Sequence, residues 1–197
     1  MTVASMESAG RRRDVVFTTE STKRGDWRIT AHELALPGSS IKTTPRTIYT
    51  STERVNFLRT AREGSVIVAY AGNSVLLGSL RSSDFTTVDK MKYEFWVFQS
   101  AETIFSVDVR VTDRVEKTEK SSKNPKAKLY PIVDVAVGDV KGAIYLHEDL
   151  LQNLARPDTA SGLGLTPRKL HWHRQEVHTV KFSLDGILAF QGDGIYN

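Results

Sequence analysis

The sequence predicts an all-β protein, on three observations. From Val15 onward, short segments rich in Val, Ile, Thr, Phe and Tyr are separated by Gly, Asn, Asp, Ser or Pro; almost nothing persists at helical spacing; and the segments recur in a repeated order. With 197 residues, 40% hydrophobic and 25% charged, the chain has ordinary globular composition and the length for a good core.

Taken in order, residues 1–13 (MTVASMESAGRRR) show no periodicity and are expected as a mobile basic tail, its arginine triplet a solvated charge run in preference to part of a nuclear address. Residues 14–197 carry the fold. Strands are expected at 15–19, 27–32, 47–51, 55–60, 66–71, 74–79, 93–100, 104–111, 132–137, 143–146, 169–173, 178–183 and 187–190. Two insertions interrupt them. The first, 112–130, holds the basic run VEKTEKSSKNPKAK; the second, 147–168, carries Leu150, Leu151 and Leu154 at a spacing that suggests one or two helical turns before Arg156-Pro157. Both are expected as surface loops on a β frame.

A repeat organises these strands. Val177, Val180 and Phe182 lie over Val55, Leu58 and Thr60 at a shift of 122 residues, and over Ile104, Val107 and Val109 at a shift of 73. Apolar residues at i and i+3 mark the place where a loop turns into a strand with one face buried. After the first copy, Arg62-Glu63-Gly64 turns into a buried strand, Gly72-Asn73 makes a tight hairpin and a third strand follows. After the second, 132–137, Gly138 to Gly142 and 143–146 repeat the plan. With one further strand, each unit has four strands. That is the content of a propeller blade, which typically occupies about 40–45 residues. The expected architecture is an incomplete β-propeller of about three blade-sized units, favoured over a sandwich because a sandwich does not explain the repeated lead-in and hairpin.

The segment His173-x3-Val177-x2-Val180-x-Phe182-Ser183-x-Asp185-Gly186 resembles the start of a WD repeat, with Trp172 where the family has Gly. Together with Leu165 to His173, 135–146 and 103–110, it is similar to the large nucleolar WD-repeat subunit of the small-subunit processome, in the transcription-linked UTP-A (t-UTP) subcomplex. The resemblance implies a structural WD motif at His173, Val177, Val180, Phe182, Asp185 and Gly186. It also implies a non-enzymatic scaffold for ribosome biogenesis in the nucleus and nucleolus, supporting pre-rRNA transcription and small-subunit rRNA processing. Its partners would be other processome proteins, with pre-rRNA and small nucleolar RNA. A WD-repeat adaptor in an unrelated ubiquitin-ligase or trafficking complex would use the same blades. Family members are longer, with tandem propellers and a helical C-terminal part, and 187–197 departs from the expected strand after Asp185-Gly186. The resemblance therefore implies a truncated or aberrantly spliced product whose three units cannot close a ring.

The absence of cysteine excludes disulfides, a thiolate nucleophile and Cys-ligated zinc, and points to an intracellular setting. No apolar run is long enough to span a bilayer, so no membrane partner is expected. His171, His173 and His178 form a tempting group, but the WD pattern already employs His173 within its blade, and no metal or other cofactor is expected. Gly162-Leu163-Gly164 is too short to cradle a phosphate. Glu148-Asp149, Asp134, Asp139 and Asp193 read as turn residues rather than acid–base groups, so no catalytic residue and no small-molecule substrate are expected. The formal charge is +4, and Lys117, Lys120, Lys123, Lys126 and Lys128 could neutralise RNA phosphates, although no aromatic residues are interleaved for base stacking.

Overall fold

The computed structural model describes residues 1–8, 10–34, 44–81, 88–116, 128–155, 166–171, 174–183 and 188–191. Among them run β1 (Thr2–Ser8), β2 (Arg11–Ser21), β3 (Trp27–Glu33), β4 (Arg46–Ser51), β5 (Val55–Ala61), β6 (Val66–Ala71) and β7 (Ser74–Leu80). A single 3-10 turn (Val88–Lys90) precedes β8 (Tyr93–Gln99), β9 (Ile104–Glu116), β10 (Lys128–Asp139) and β11 (Ala143–His147). Helix α1 (Leu150–Ala155), β12 (Arg168–His171), β13 (Thr179–Phe182) and β14 (Leu188–Gln191) follow.

These strands form three four-stranded antiparallel sheets, each a meander in chain order: β1 to β4 (sheet A), β5 to β8 (sheet B) and β9 to β12 (sheet C). A two-stranded sheet, β13-β14 (sheet D), comes next. The all-β class and the four-strand unit expected from the sequence are both present. The leading strands β1, β5, β9 and β13 each touch the next one in the series, so successive sheets stack in blade-like fashion.

Three apolar seams hold the stack. Between A and B, Ala4, Met6, Val15, Phe17, Ile29 and Ala31 meet Val55, Leu58, Ile67, Ala69 and Leu76. Between B and C, the alternate residues Val66, Val68, Val75 and Leu77 meet Val107, Val109, Val133, Val135 and Val137, with Leu150 of α1 buried beside them. Ala136, Ile144 and Leu146 then pack on Val177 and Val180. Because side chains alternate along a strand, a sheet between two others must be apolar at both parities.

Two expectations are corrected. The stretch 1–13 contains β1 and the start of β2, paired continuously from Thr2↔Phe17 to Ser8↔Arg11, with Ala4 and Met6 buried. Its signal is weak because the buried positions alternate with Val3, Ser5 and Glu7, and one of them is only an alanine. Arg13 is bonded to Glu33 rather than solvated, while Arg11 and Arg12 are exposed. The second correction concerns 112–130. Its two ends extend sheet C as a ribbon, from Ile132↔Thr112 out to Lys128↔Glu116, and residues 117–127 lie outside the described residues. In the other insertion the expected helical turns appear as α1, anchored by Leu150.

Candidate interaction surface

The residues singled out by the WD resemblance divide as follows. Val177 and Val180 are buried in the C–D seam, and Phe182 packs against it with the Arg110 guanidinium 5.0 Å over its ring. His173, Asp185, Gly186, Lys117, Lys120, Lys123 and Lys126, like Asp193 and 162–164, lie outside the described residues. Lys128 is the first residue of β10 and pairs with Glu116. Of the three histidines, His171 pairs with Ala143 on β12, and His178 sits edge-to-face with Phe105 at 4.5 Å. Among the described residues, no three His, Cys, Asp or Glu side chains gather at one point.

Polar ties that sequence reading missed connect the sheets close to the leading strands. Asp108, buried on β9, is ion-paired with Arg59 on β5 and accepts the Phe182 backbone N–H at 2.8 Å, so one carboxylate joins sheets B, C and D. Asp134 is corrected from a turn residue to a mid-strand one. Its Oδ2 accepts Arg110 Nη2 at 2.6 Å and Nε at 3.1 Å, and its Oδ1 accepts the Asp149 N–H at 3.0 Å. Only the single acidic residue within the apolar run 132–137 hinted at this, since a buried carboxylate requires such partners.

Asp139 does act as a turn residue: its Oδ1 accepts the N–H groups of Lys141 at 2.9 Å and Ala143 at 2.8 Å. The same turn fastens the next unit, because the Val177 N–H donates to the Asp139 carbonyl at 3.0 Å. One sheet earlier, the Gly72-Asn73 turn does the equivalent, accepting Ile104 N–H at 3.0 Å and Ser100 N–H at 2.7 Å. In sheets B and C the second hairpin thus positions the lead-in to the following sheet, a tertiary expression of the sequence repeat.

Three surface features could carry function. A cleft of about 500 Å³ opens between sheets A and B, lined by Met6, Glu7, Arg12, Arg62, Glu63 and Gly64. Its wall is the 62–64 turn, all three residues of which have positive φ (47°, 52° and 81°). Guanidinium groups and carboxylates share this cleft, and Arg12 and Arg62 are each paired, with Asp14 at 3.9 Å and Asp113 at 3.1 Å. Its charge is accordingly mixed. Beneath it, burial pushes the Tyr93 hydroxyl far above its usual range, and that hydroxyl donates to the Gly64 carbonyl.

On the outer face of sheet A, Thr18, Glu20, Arg28 and His32 form a network. The Arg28 guanidinium, with help from the Thr18 hydroxyl, holds the Glu20 carboxyl below the usual carboxylate range. Thr18 Oγ1 lies 3.0 Å and Glu20 Oε1 3.3 Å from the same nitrogen, His32 Nε2. A hydroxyl-to-carboxylate relay needs the two partners on opposite imidazole nitrogens, so this geometry is cross-strand bracing rather than a triad.

The third feature is at the start of the leading strands. In β5 the register shifts between Val55 and Phe57, leaving Asn56 without a partner on β6. In β9 it shifts at Gly138/Asp139, leaving Phe105 without one on β10. Both are bulge residues, and both are exposed, Phe105 at 41%. In the repeat they correspond to His178, which precedes β13. Tyr70 stacks on Phe57 with centroids 6.1 Å apart and donates its hydroxyl to the Phe105 carbonyl at 2.9 Å. His178 Nε2 lies 3.5 Å from Glu176 Oε1.

Compared with models of known families and with curated proteins, the chain matches none, so the function rests on the residues and geometry just described.

Proposed function

We propose that this chain is part of a WD-repeat propeller acting as a non-enzymatic scaffold for ribosome biogenesis. In this reading it supports pre-rRNA transcription and small-subunit rRNA processing in the nucleolus, alongside other processome proteins, pre-rRNA and small nucleolar RNA. The observation that carries the reading is the repeated leash, in which the second hairpin of one sheet holds the lead-in of the next at both Gly72-Asn73 and Asp139. It supports an array of blades in which sheets A, B and C are successive units and sheet D begins a fourth. Propeller faces present many loops on a rigid frame, which suits assembly of several partners. The choice of assembly rests on the resemblance of 103–110, 135–146 and 165–186 described above.

The test is localisation of the tagged chain together with the RNA that co-purifies with it. Nucleolar signal with enrichment of pre-rRNA and a small nucleolar RNA is the expected result. Diffuse cytoplasmic signal with a ubiquitin-ligase or coat complex in the purified material would overturn the ribosome-assembly reading in favour of an adaptor.

A further inference from the structure

We propose that the bulge residues at the head of the leading strands form a docking platform for an arginine side chain of a partner peptide, with Phe105 as its centre. The proposal goes beyond the ribosome-assembly reading and does not depend on it.

Three observations carry it. First, the extra residue of a bulge is turned out of the ladder, and here it happens at the same point of two successive sheets, at Asn56 and Phe105, followed by His178 at the corresponding place in the third. Repetition presents the three side chains in series at one end of the leading strands. Second, Phe105 is exposed despite having an apolar interior beside it. Among the described residues it is the exposed large aromatic side chain; the other exposed large hydrophobic residues, Met1, Val3, Leu34 and Val97, are aliphatic. Its contact with His178 is edge-to-face, with an interplanar angle of 87°, and such a contact occupies one face of only one of the two rings. Third, the platform is held in place. Tyr70 ties the Phe105 backbone, and Ser106 next to it donates to the Val177 carbonyl at 2.7 Å, fixing the segment that bears His178.

The chemistry selects the occupant. An exposed aromatic ring attracts a cation through its quadrupole, and a guanidinium stacks flat on such a ring and is more weakly hydrated than an ammonium. The Glu176 carboxylate, beside His178, supplies charge complementary to the guanidinium. Asn56, exposed at the corresponding bulge of the preceding sheet, offers an amide donor and acceptor to a peptide backbone. An aromatic ring with a carboxylate beside its histidine neighbour and a neutral amide on the preceding sheet fits an extended, arginine-bearing peptide rather than an acidic one.

The experiment is an NMR titration of the full chain with a short Gly-Ser peptide carrying one central arginine, against the same peptide with citrulline in its place. The expected result is saturable shift changes at the Phe105 and His178 amides with the arginine peptide, and roughly fivefold weaker binding of the citrulline peptide. Phe105→Leu, which keeps the apolar bulk and loses the ring, should weaken arginine binding by roughly the same factor, whereas Phe105→Tyr should retain it. Glu176→Gln should weaken it with the fold intact. Equal binding of the two peptides, no shift at these amides, or an unaltered affinity in Phe105→Leu would overturn the proposal. None of these outcomes touches nucleolar localisation, so the two readings fail independently.

Discussion

Strand β6 of sheet B reads Val-Ile-Val-Ala-Tyr-Ala and is buried at both parities, whereas β2 of sheet A buries Val15 and Phe17 while Val16, Thr18 and Glu20 face away from the stack. The two sheets share one topology and differ in how many sheets pack on them among the described residues. Sheet B lies between A and C, so Ile67 and Ala69 serve one seam and Val66 and Val68 the other. Sheet A has one described neighbour, and its outer face carries a Ser5–Asp14 hydrogen bond and the separate network of Thr18, Glu20, Arg28 and His32. A face with no other described sheet packed on it keeps such polar groups solvated or paired with one another. Composition at the two parities of a strand therefore reports position in the stack.

The sharpest way to break this comparison is a matched pair of charges. Ile67 and Val16 lie on the second strands β6 and β2, each on the side of its sheet turned toward the start of the chain. Ile67→Lys would bury an unpaired ammonium in the A–B seam and should destabilise by more than about 4 kcal/mol, enough to unfold a marginal domain. Val16→Lys, on the outer face, should stay within about 1 kcal/mol. Urea unfolding of both variants decides the matter; equal losses would mean that the outer face of sheet A is also packed.

A smaller effect tests whether β1 belongs to the stack at all. A Cβ on Gly64 would lie 2.9 Å from the Ala4 Cβ and 3.2 Å from the Met6 sulfur, at a φ of 81°. Gly64→Ala should cost about 2–4 kcal/mol, combining left-handed strain with overpacking against β1. Were residues 1–13 a mobile tail, only the strain would remain, about 1–2 kcal/mol. Unfolding the variant in the full chain and in a version lacking 1–8 separates the two contributions.

The B–C seam offers a pH readout that the A–B seam lacks. His147, at the end of β11, packs 4.8 Å from the Phe98 ring, and burial lowers its pKa from 6.5 to about 4. Above pH 6.5 both the folded and the unfolded chain hold it neutral and its contribution is complete. As pH falls from 6.5 toward 4 the unfolded chain takes up a proton that the folded chain does not. Stability is lost across that window, by at most about 3 kcal/mol. His147→Phe should flatten that part of the stability profile in calorimetric scans between pH 4 and 7, and an unchanged slope would show that His147 is not the group responsible.

Much of this architecture could be read from the chain. The segments 66–71 and 74–79 are strong strands because Val66-Ile67-Val68-Ala69 and Val75-Leu76-Leu77 are apolar runs bounded by Gly64, Gly72-Asn73 and Gly78. The lead-in spacing of Val55, Ile104 and Val177 located three of the sheet boundaries because the i, i+3 pattern is local. β1 escaped notice because the partner that buries Ala4 and Met6 is the 62–64 turn, more than fifty residues away. The ribbon ends of 112–130 escaped because polar side chains do not prevent backbone pairing once the strands are aligned by the seam beneath.

What the sequence by itself determined is the local order: strand after strand, turn residues between them, and a unit that repeats, all following from side-chain alternation and the turn preferences of Gly, Asn and Asp. Only the tertiary structure decided which carboxylates are structural, with Asp108 and Asp134 acquiring their roles from Arg59, Arg110 and the backbone of Phe182 and Asp149. It likewise decided that Asn56 and Phe105 are turned outward. A bulge is a mismatch between two strands, so it exists only once both are paired, and no pattern within one segment can announce it.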